Sequence, residues 1–479
     1  MRIFASFLLV LSASQCFALK PNVLLIYVDD LGYGDTAAYG HPIVKTPNID
    51  RLAEGGIRFT QFYSPSALCS PSRAGLLTGR TPYRTGVKNW IPDGSEVSLS
   101  REEVTIAQIL KEAGYRTAVV GKWHLNGGLD LEHAPQPRDF GFDYQYGLGA
   151  WVKNKRAEGS GFGKLFPDNM FRNNQPVGVT RKFSAELITE EAIKWIGNIE
   201  AQAPFFLYLA YSEVHTPVAS PNRFLDMYDQ YLTDESRQHP WAYYMDWVGR
   251  PYRGKGEYYA NVTYLDSQIG MILEELERQS QTNNTLIIFS SDNGPLTSEA
   301  AMQWEVAMAG ETNGLRGKKR YLFEGGIRVP GIFRWPSNFE ADVIDVPATA
   351  LDVLPTITDL LELELPTARV IDGESLANLL TGESGFERKQ VLFWSLVTPD
   401  GLEYAVRTDK WKLLLDGAGG PKYLFDLKAD PYEITNLLAT QTEIVDGLKK
   451  SFVEIRASVA RDMANWEHDE TKTPDAKQK

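Results

Sequence analysis

Apolar residues along this chain gather in short continuous runs, and four of the runs stop abruptly at charged or imidazole side chains. Residues 23–28 end in Asp29-Asp30, and residues 117–120 lead into Gly121-Lys122-Trp123-His124. Residues 205–211 end near Glu213 and His215, and residues 286–289 are followed by Ser290-Ser291-Asp292-Asn293-Gly294. Runs of this length, separated by amphipathic stretches, predict strands buried on both faces of a mostly parallel sheet in an α/β protein. Ligands of such sheets bind beyond the carboxyl ends of the strands, so the four polar clusters are expected at one edge.

Helices are predicted between the strands. Thr46-Pro47-Asn48 offers a cap and a proline at the first helical position, with Gly55-Gly56 as the stop. Apolar residues recur at helical spacing over 102–113, 184–199 and 261–279, and 351–361 closes the large unit. Beyond about residue 385 the pattern changes to short strands at 391–396, 404–408, 411–415 and 423–427, then a long helix from 443 to about 466. That reads as a small C-terminal α+β domain with an antiparallel sheet. The expected division is 1–18 as a leader, 19–384 as the catalytic domain and 385–479 as the small domain with a polar tail. No internal repeat is present.

The leader has Arg2, an apolar run over 3–13 and a cleavage site at Cys16-Phe17-Ala18, the pattern of a secretory signal peptide. Its apolar run is well short of the roughly 20 residues that span a bilayer, and no later stretch reaches that length. An exported protein is expected, periplasmic or extracellular, or lysosomal in a eukaryotic host. With 49 basic and 62 acidic side chains the formal charge is −13, which excludes general nucleic-acid affinity through a basic face. A local pocket of cations can still attract an anionic substrate.

Removal of the leader takes Cys16 with it and leaves Cys69 as the one cysteine of an exported chain. A buried small hydrophobe is one account of it. Its setting, Leu68-Cys69-Ser70-Pro71-Ser72-Arg73, instead resembles the first turn of a helix, where free N–H groups and the positive dipole end favour negative charge. Asp29, Asp30, Asp292 and Asn293 offer only hard oxygen donors, which suit Ca²⁺ or Mg²⁺ and not zinc. Read singly they are also a cap and a turn; read jointly, adjacent carboxylates at strand ends call for a cation. Arg73, Lys122, His124, His215 and a lysine of Gly317-Lys318-Lys319-Arg320 add positive charge and titratable protons, while His41, His239 and His468 read as structural. A cation with Arg, Lys and His around a nucleophile suits displacement at a tetrahedral oxyanion such as sulfate or phosphate.

Cys69-Ser70-Pro71-Ser72-Arg73-Ala74-Gly75-Leu76-Leu77-Thr78-Gly79-Arg80 resembles the first signature of the type I, formylglycine-dependent sulfatases, and Gly114-Tyr115-Arg116-Thr117-Ala118-Val119-Val120-Gly121-Lys122-Trp123-His124 resembles the second. The likeness continues through Phe323-Glu324-Gly325-Gly326-Ile327-Arg328-Val329-Pro330 to Leu424-Phe425-Asp426-Leu427 and Asp430-Pro431. The resemblance implies an alkaline-phosphatase-like α/β sandwich with a small C-terminal domain. It implies that a formylglycine-generating enzyme oxidises Cys69, that the aldehyde hydrates, and that one hydroxyl of the gem-diol attacks sulfur before the sulfated intermediate collapses to aldehyde and free sulfate.

Carried over residue by residue, the resemblance makes Asp29, Asp30, Asp292 and Asn293 the Ca²⁺ ligands, with residue 69 completing the shell. Arg73 would hold the hydrated aldehyde and Lys122 the sulfate oxygens; His124 would take the second gem-diol proton and His215 would protonate the leaving alcohol. The lysine five positions before Glu-Gly-Gly contacts substrate, which selects Lys319 over Lys318. The family's sulfate-contacting serine is not evident in the region after the second signature, where residues 140–151 offer no equivalent. The chain looks closest to the branch of arylsulfatase A and N-acetylgalactosamine-6-sulfatase, so the expected substrate is a sulfated carbohydrate, with a galactose or N-acetylgalactosamine 6-sulfate as first choice. Trp241, Tyr243, Tyr244, Trp247 and Tyr252 could stack on sugar rings and Arg250 or Arg253 pair with anions, or this stretch is an insertion packed on itself. Rival readings are a broad aryl sulfatase, a phosphodiesterase or phosphonate monoester hydrolase on the same fold, a non-catalytic glycan binder, and an unrelated hydrolase in which Cys69 is a structural thiol.

Overall fold

The computed structural model describes residues 20–149, 167–200, 203–216, 218–232, 254–297, 309–383 and 385–463. The expected leader, the aromatic residues 241–252 with Arg250 and Arg253, His239 and the tail with His468 lie outside the described residues. Eleven strands form one sheet: β1 (Asn22–Val28), β2 (Ile57–Tyr63), β3 (Arg116–Gly121), β4 (Tyr144–Leu148), β5 (Met170–Arg172), β6 (Gln175–Pro176), β7 (Phe205–Ala210), β8 (Thr285–Ser291), β9 (Arg328–Arg334), β10 (Asp342–Ile344) and β11 (Ala348–Thr349). Their order is β10-β2-β9-β8-β1-β7-β3-β4-β5-β6, with β11 beside β2. β1 pairs in parallel with β7 and β8, so Leu25 lies between Tyr208 and Ile288. Among the described strands only β5 and β9 run against the rest.

Alternation inside the central strands explains the layers. Leu24, Ile26 and Val28 of β1, with Leu207 and Leu209 of β7, face one apolar core; Val23, Leu25 and Tyr27, with Phe206 and Tyr208, face another. A strand apolar on both faces must be covered on both. Helices Pro47–Glu54, Ser184–Gly197 and Lys255–Arg278 cover the first face, and Cys69–Thr78, Ile106–Glu112 and Val353–Leu360 the second. Among the described residues no helix is long and apolar enough to cross a membrane.

Four antiparallel strands, β12 (Leu392–Ser395), β13 (Leu402–Arg407), β14 (Trp411–Asp416) and β15 (Pro421–Asp426), form the second sheet. One face, including Phe393, Val406 and Leu413, packs on helix Thr442–Met463 through Val445, Leu448 and Phe452. The other, including Trp394, Leu402, Leu414 and Phe425, packs on Tyr63, Leu68, Phe323 and Ile327 of the large unit.

Some element limits differ from the sequence expectation for identifiable reasons. The helix expected over 102–113 starts at Ile106, because Thr105 and Gln108 form a reciprocal capping box. The helix expected from residue 261 starts at Lys255, and its residues from Gly256 to Asp266 are all buried, which erases the amphipathic signal over its first turns. Thr46 precedes the Pro47 helix without capping it; its hydroxyl donates to Asp50 and accepts from the N–H of Ala37 instead. β2 and β9 carried no pattern strong enough to be singled out.

Candidate active site

The polar residues that end β1, β3, β7 and β8 meet at one edge of the sheet. Asp29 extends the ladder by donating its N–H to the Glu213 carbonyl and accepting from Val214, and the Asp292 N–H donates to Val28 O at 3.1 Å. The chain then leaves the extended conformation: Asp30 and His124 adopt left-handed backbone angles, with φ of 64° and 57°. Such angles are uncommon outside glycine and cluster at functional sites.

The Cys69 helix is built from its own signature residues. Ser72 Oγ donates to the Ser66 carbonyl at 2.9 Å and accepts the Ser66 N–H, folding the approach to the helix; Ser70 Oγ accepts the N–H of Ile91. Leu68 at the N-cap has no side-chain cap to offer, and Cys69 is the first helical residue. Gly79 ends the helix with φ of 66°, and Arg80 beyond it pairs with Glu103 and Asp462. The first helical turn read from the sequence at Cys69 is thus the start of a helix that runs over Cys69–Thr78.

Around Cys69, charges alternate. Lys319 Nζ lies 2.5 Å from Asp30 Oδ1 and 3.5 Å from the Cys69 sulfur, whereas Lys318 is only half-buried. Lys122 Nζ lies 2.6 Å from Asp29 Oδ2. Arg73 is fully buried, donates through Nε and Nη2 to Asp292 Oδ2 at 3.0 and 2.7 Å, and turns Nη1 to the Lys122 carbonyl. The Arg73 guanidinium thus faces Asp292 and Tyr208, residues that the sequence reading did not pair with it. His215 holds Nε2 3.7 Å from Asp30 Oδ2 and Nδ1 on the Thr216 carbonyl. His124 sets Nε2 3.0 Å from the Ile91 carbonyl, while its buried Nδ1 has no hydrogen-bond partner. The Ile91 carbonyl is a backbone contact that no side-chain motif could announce.

Burial dominates the protonation of this cluster, and neighbouring charges modify it. Burial pushes the Cys69 thiol up to about 12, although Lys122 and Lys319 pull the other way. Burial alone would raise Asp29, but Lys122, His215 and Arg73 hold it well below the usual carboxylate range. Asp30 is likewise lowered against burial by Lys319 and His215. Asp292 is pushed up to about 7 by burial and by Asp29. Burial keeps both imidazoles neutral: it pushes His215 down to about 4 and holds His124 well below the usual histidine range, the latter helped by Lys122 and Arg73.

The same cluster fits a divalent cation. Donor atoms of Asp29, Asp30, Cys69 and His215 lie within 4.8 Å of one another. Asp29 Oδ1, Asp30 Oδ2 and Asn293 Oδ1 are buried without a hydrogen-bond partner. Buried anionic oxygens left without donors are costly unless a cation takes them. Both Asp292 oxygens already accept, from Arg73 and from the Asp30 N–H.

Comparison with known proteins agrees with this arrangement. A family model described as Sulfatase matches residues 21–363, and one described as N-sulphoglucosamine sulphohydrolase, C-terminal, matches 315–458. Human arylsulfatase A is 32% identical over 93% of this chain and 89% of its own. The N-acetylgalactosamine-6-O-sulfatase of Bacteroides thetaiotaomicron is 30% identical over 91% and 93%. The solved structure of Ps i-CgsB in complex with k-i-k-neocarrahexaose superposes with a TM-score of 0.76 at 26% identity, over 95% of this chain and 96% of that one. The central sheet, the Cys69 helix at its edge and the match across both halves of the sequence lead to one conclusion: the chain belongs to the sulfatase family and is a sulfuric ester hydrolase.

Proposed function

We propose that this sulfatase releases inorganic sulfate from a sulfated carbohydrate, of galactose or N-acetylgalactosamine 6-sulfate type, after conversion of Cys69 to formylglycine and with Ca²⁺ bound. The observation that carries the reading is the set of three orphaned buried oxygens, on Asp29, Asp30 and Asn293, beside Cys69, with Lys122 and Lys319 at the same carboxylates. Hard oxygen donors of this kind select Ca²⁺ or Mg²⁺ over softer metals. Asp29, Asp30, Asn293 and Asp292 would hold the ion, which supplies positive charge against the reacting oxygens. Formylglycine at position 69 would supply the hydroxyl that attacks sulfur. As a thiol, Cys69 is neutral and 3% exposed, a poor nucleophile as it stands.

The remaining roles follow from position and charge. Lys122 and Lys319 keep their protons, so both can meet sulfate oxygens as cations. Arg73 fixes Asp292 and the Lys122 backbone, which orients the acidic side of the site. His124, with Nε2 on the Ile91 carbonyl and Nδ1 bare, suits acceptance of a proton from the residue-69 hydroxyl. His215 faces Asp30, and a bound sulfate would add negative charge that shifts its imidazole toward the protonated form needed to donate to a leaving alcohol. The carbohydrate assignment is supported by the N-acetylgalactosamine-6-O-sulfatase relative, which aligns over more than 90% of both chains. A broad aryl sulfatase is the second reading, favoured by the arylsulfatase A relative. The leader sequence supports export to the periplasm, cell exterior or lysosome.

The test is release of inorganic sulfate from defined sulfated mono- and oligosaccharides and from 4-nitrophenyl sulfate, using protein co-produced with a formylglycine-generating enzyme. Release from one sugar and not its positional isomers supports the carbohydrate reading, and release from the aryl ester alone supports the second. If mass spectrometry finds formylglycine at residue 69, calcium is present and no sulfate appears, both readings fail, and phosphate or phosphonate esters become the substrates to try.

A further inference from the structure

Lys319 reaches Cys69 from a loop whose neck is gripped by the small sheet. Residues 315–327 fold back on themselves, with the Gly325 N–H donating to the Arg316 carbonyl at 2.6 Å. Near the tip, the Lys319 N–H is held by the Pro295 carbonyl, and Arg320 sits in the left-handed region at φ of 77°. A lysine side chain has four flexible methylenes, so the loop that carries its backbone decides where its ammonium group can go.

Glu433, in the turn after β15, touches both limbs of that neck. Its carbonyl accepts Arg316 Nη1 at 3.0 Å, and its carboxylate Oε2 accepts the Glu324 N–H at 2.7 Å. Its Oε1 lies 2.9 Å from Lys412 Nζ on β14, and the same ammonium reaches Glu324 Oε1 at 3.0 Å. Tyr63 at the end of β2 donates to Glu324 Oε2 at 2.6 Å. Glu433, Lys412 and Glu324 are all fully buried, and Glu433 has a φ of 57°. Buried ion clusters add little net stability compared with apolar packing, and their best-attested use is to set a register. The surrounding apolar contacts of Leu322, Phe323 and Ile327 with Phe425 and Leu427 already attach the loop to the small sheet. The ion cluster adds direction.

We propose that Glu433 is a positioning residue for Lys319, clamping the neck of the 315–327 loop so that the ammonium group stands at Asp30 and residue 69. The proposal rests on the reading of Lys319 as a group that meets the sulfate ester.

A double-mutant cycle on the full chain, co-produced with the formylglycine-generating enzyme and assayed with 4-nitrophenyl sulfate well below each variant's Tm, tests it. Lys319→Ala is expected to lower kcat/KM by about 10- to 100-fold and Glu433→Gln by about 10-fold. The double variant is expected to be no worse than Lys319→Ala, because the clamp has nothing left to position. Losses that multiply overturn the clamp and leave the Lys319 reading intact. If Lys319→Ala is fully active, the Lys319 reading fails and the clamp falls with it. Glu433→Gln acts on the Glu324 limb, which its carboxylate holds, and a Glu433→Gln variant with unchanged kcat/KM overturns the clamp. Should it fold poorly, Arg316→Gln, which releases the other limb from the Glu433 carbonyl, takes its place in the same cycle with the same expected loss and non-additivity.

Discussion

Asp29, Asp30 and Asp292 bring three carboxylates against the three cations Arg73, Lys122 and Lys319, all at the buried edge of the sheet. The set is near neutral by itself and positive once a divalent ion joins it, which suits a singly charged sulfate ester. Asp30 is the residue most exposed to that balance, since one oxygen takes Lys319 and Asn293 while the other has no hydrogen-bond partner. Calcium is therefore expected to raise the Tm of the wild-type protein, by about 2.7 kcal/mol of stability at a hundredfold excess over Kd. Asp30→Asn should abolish that rise in a thermal melt; an unchanged rise would remove Asp30 from the ligand set. Gly121 is constrained differently. With φ of 119°, a Cβ there would stand 1.9 Å from the Ala210 carbonyl oxygen, which also accepts the Lys122 N–H at 2.7 Å. Gly121→Ala should cost at least about 2 kcal/mol and reduce sulfate release by displacing Lys122, measured by melting and turnover together.

Among the elements, the turn into helix Pro47–Glu54 offers a pH-dependent test away from the site. His41 is 7% exposed and its Nδ1 accepts the N–H groups of Ile43 and Val44 at 3.1 and 2.9 Å. Burial pushes its pKa down to about 4. The unfolded chain binds a proton near pH 6.5 that the folded chain refuses, so His41 supports folding above pH 6.5 and loses that contribution as pH falls toward 4. The loss is roughly 3 kcal/mol at most, less where solvent screens the ring. His41→Asn keeps an acceptor without a titrating ring, and should flatten the dependence of Tm on pH between 4 and 6.5. The helices themselves were legible where one face was apolar and the cap local. Their starts were misjudged at Ile106 and Lys255, where a capping box or complete burial overrode the periodic pattern.

On the scale of the molecule, the proposed division at 384 separates two sheets, each with an apolar cluster of its own, that share a further cluster between them. Tyr63, Ala67, Leu68, Leu322, Phe323 and Ile327 share one apolar cluster with Trp394, Leu414 and Phe425, and the Trp394 indole donates to the Ser64 carbonyl at 2.8 Å. Leu68 precedes Cys69 and Phe323 follows the Lys319 turn, so the small sheet packs on both segments that deliver these residues. A chain ending at 384 should aggregate or lose its cooperative melt, judged by size exclusion and calorimetry; a soluble monomer with the full-length Tm would show that 19–384 stands alone. The sequence by itself determined the α/β class, the four central strands, the small antiparallel sheet and the polar residues at the strand ends, because runs apolar on both faces and abrupt polar stops are local signals. The signatures around Cys69 and Lys122 were equally local. The resemblance named Lys319 as well, but only the tertiary structure decided how it reaches them. β9 runs antiparallel to β8, so the segment before it enters at the same edge as the ends of β1, β3, β7 and β8. The pairing of Arg73 with Asp292, of His124 with the Ile91 carbonyl, and of Glu433 with Glu324 joins residues far apart in the chain. Such contacts depend on strand order and backbone angles, which no local pattern of residues encodes.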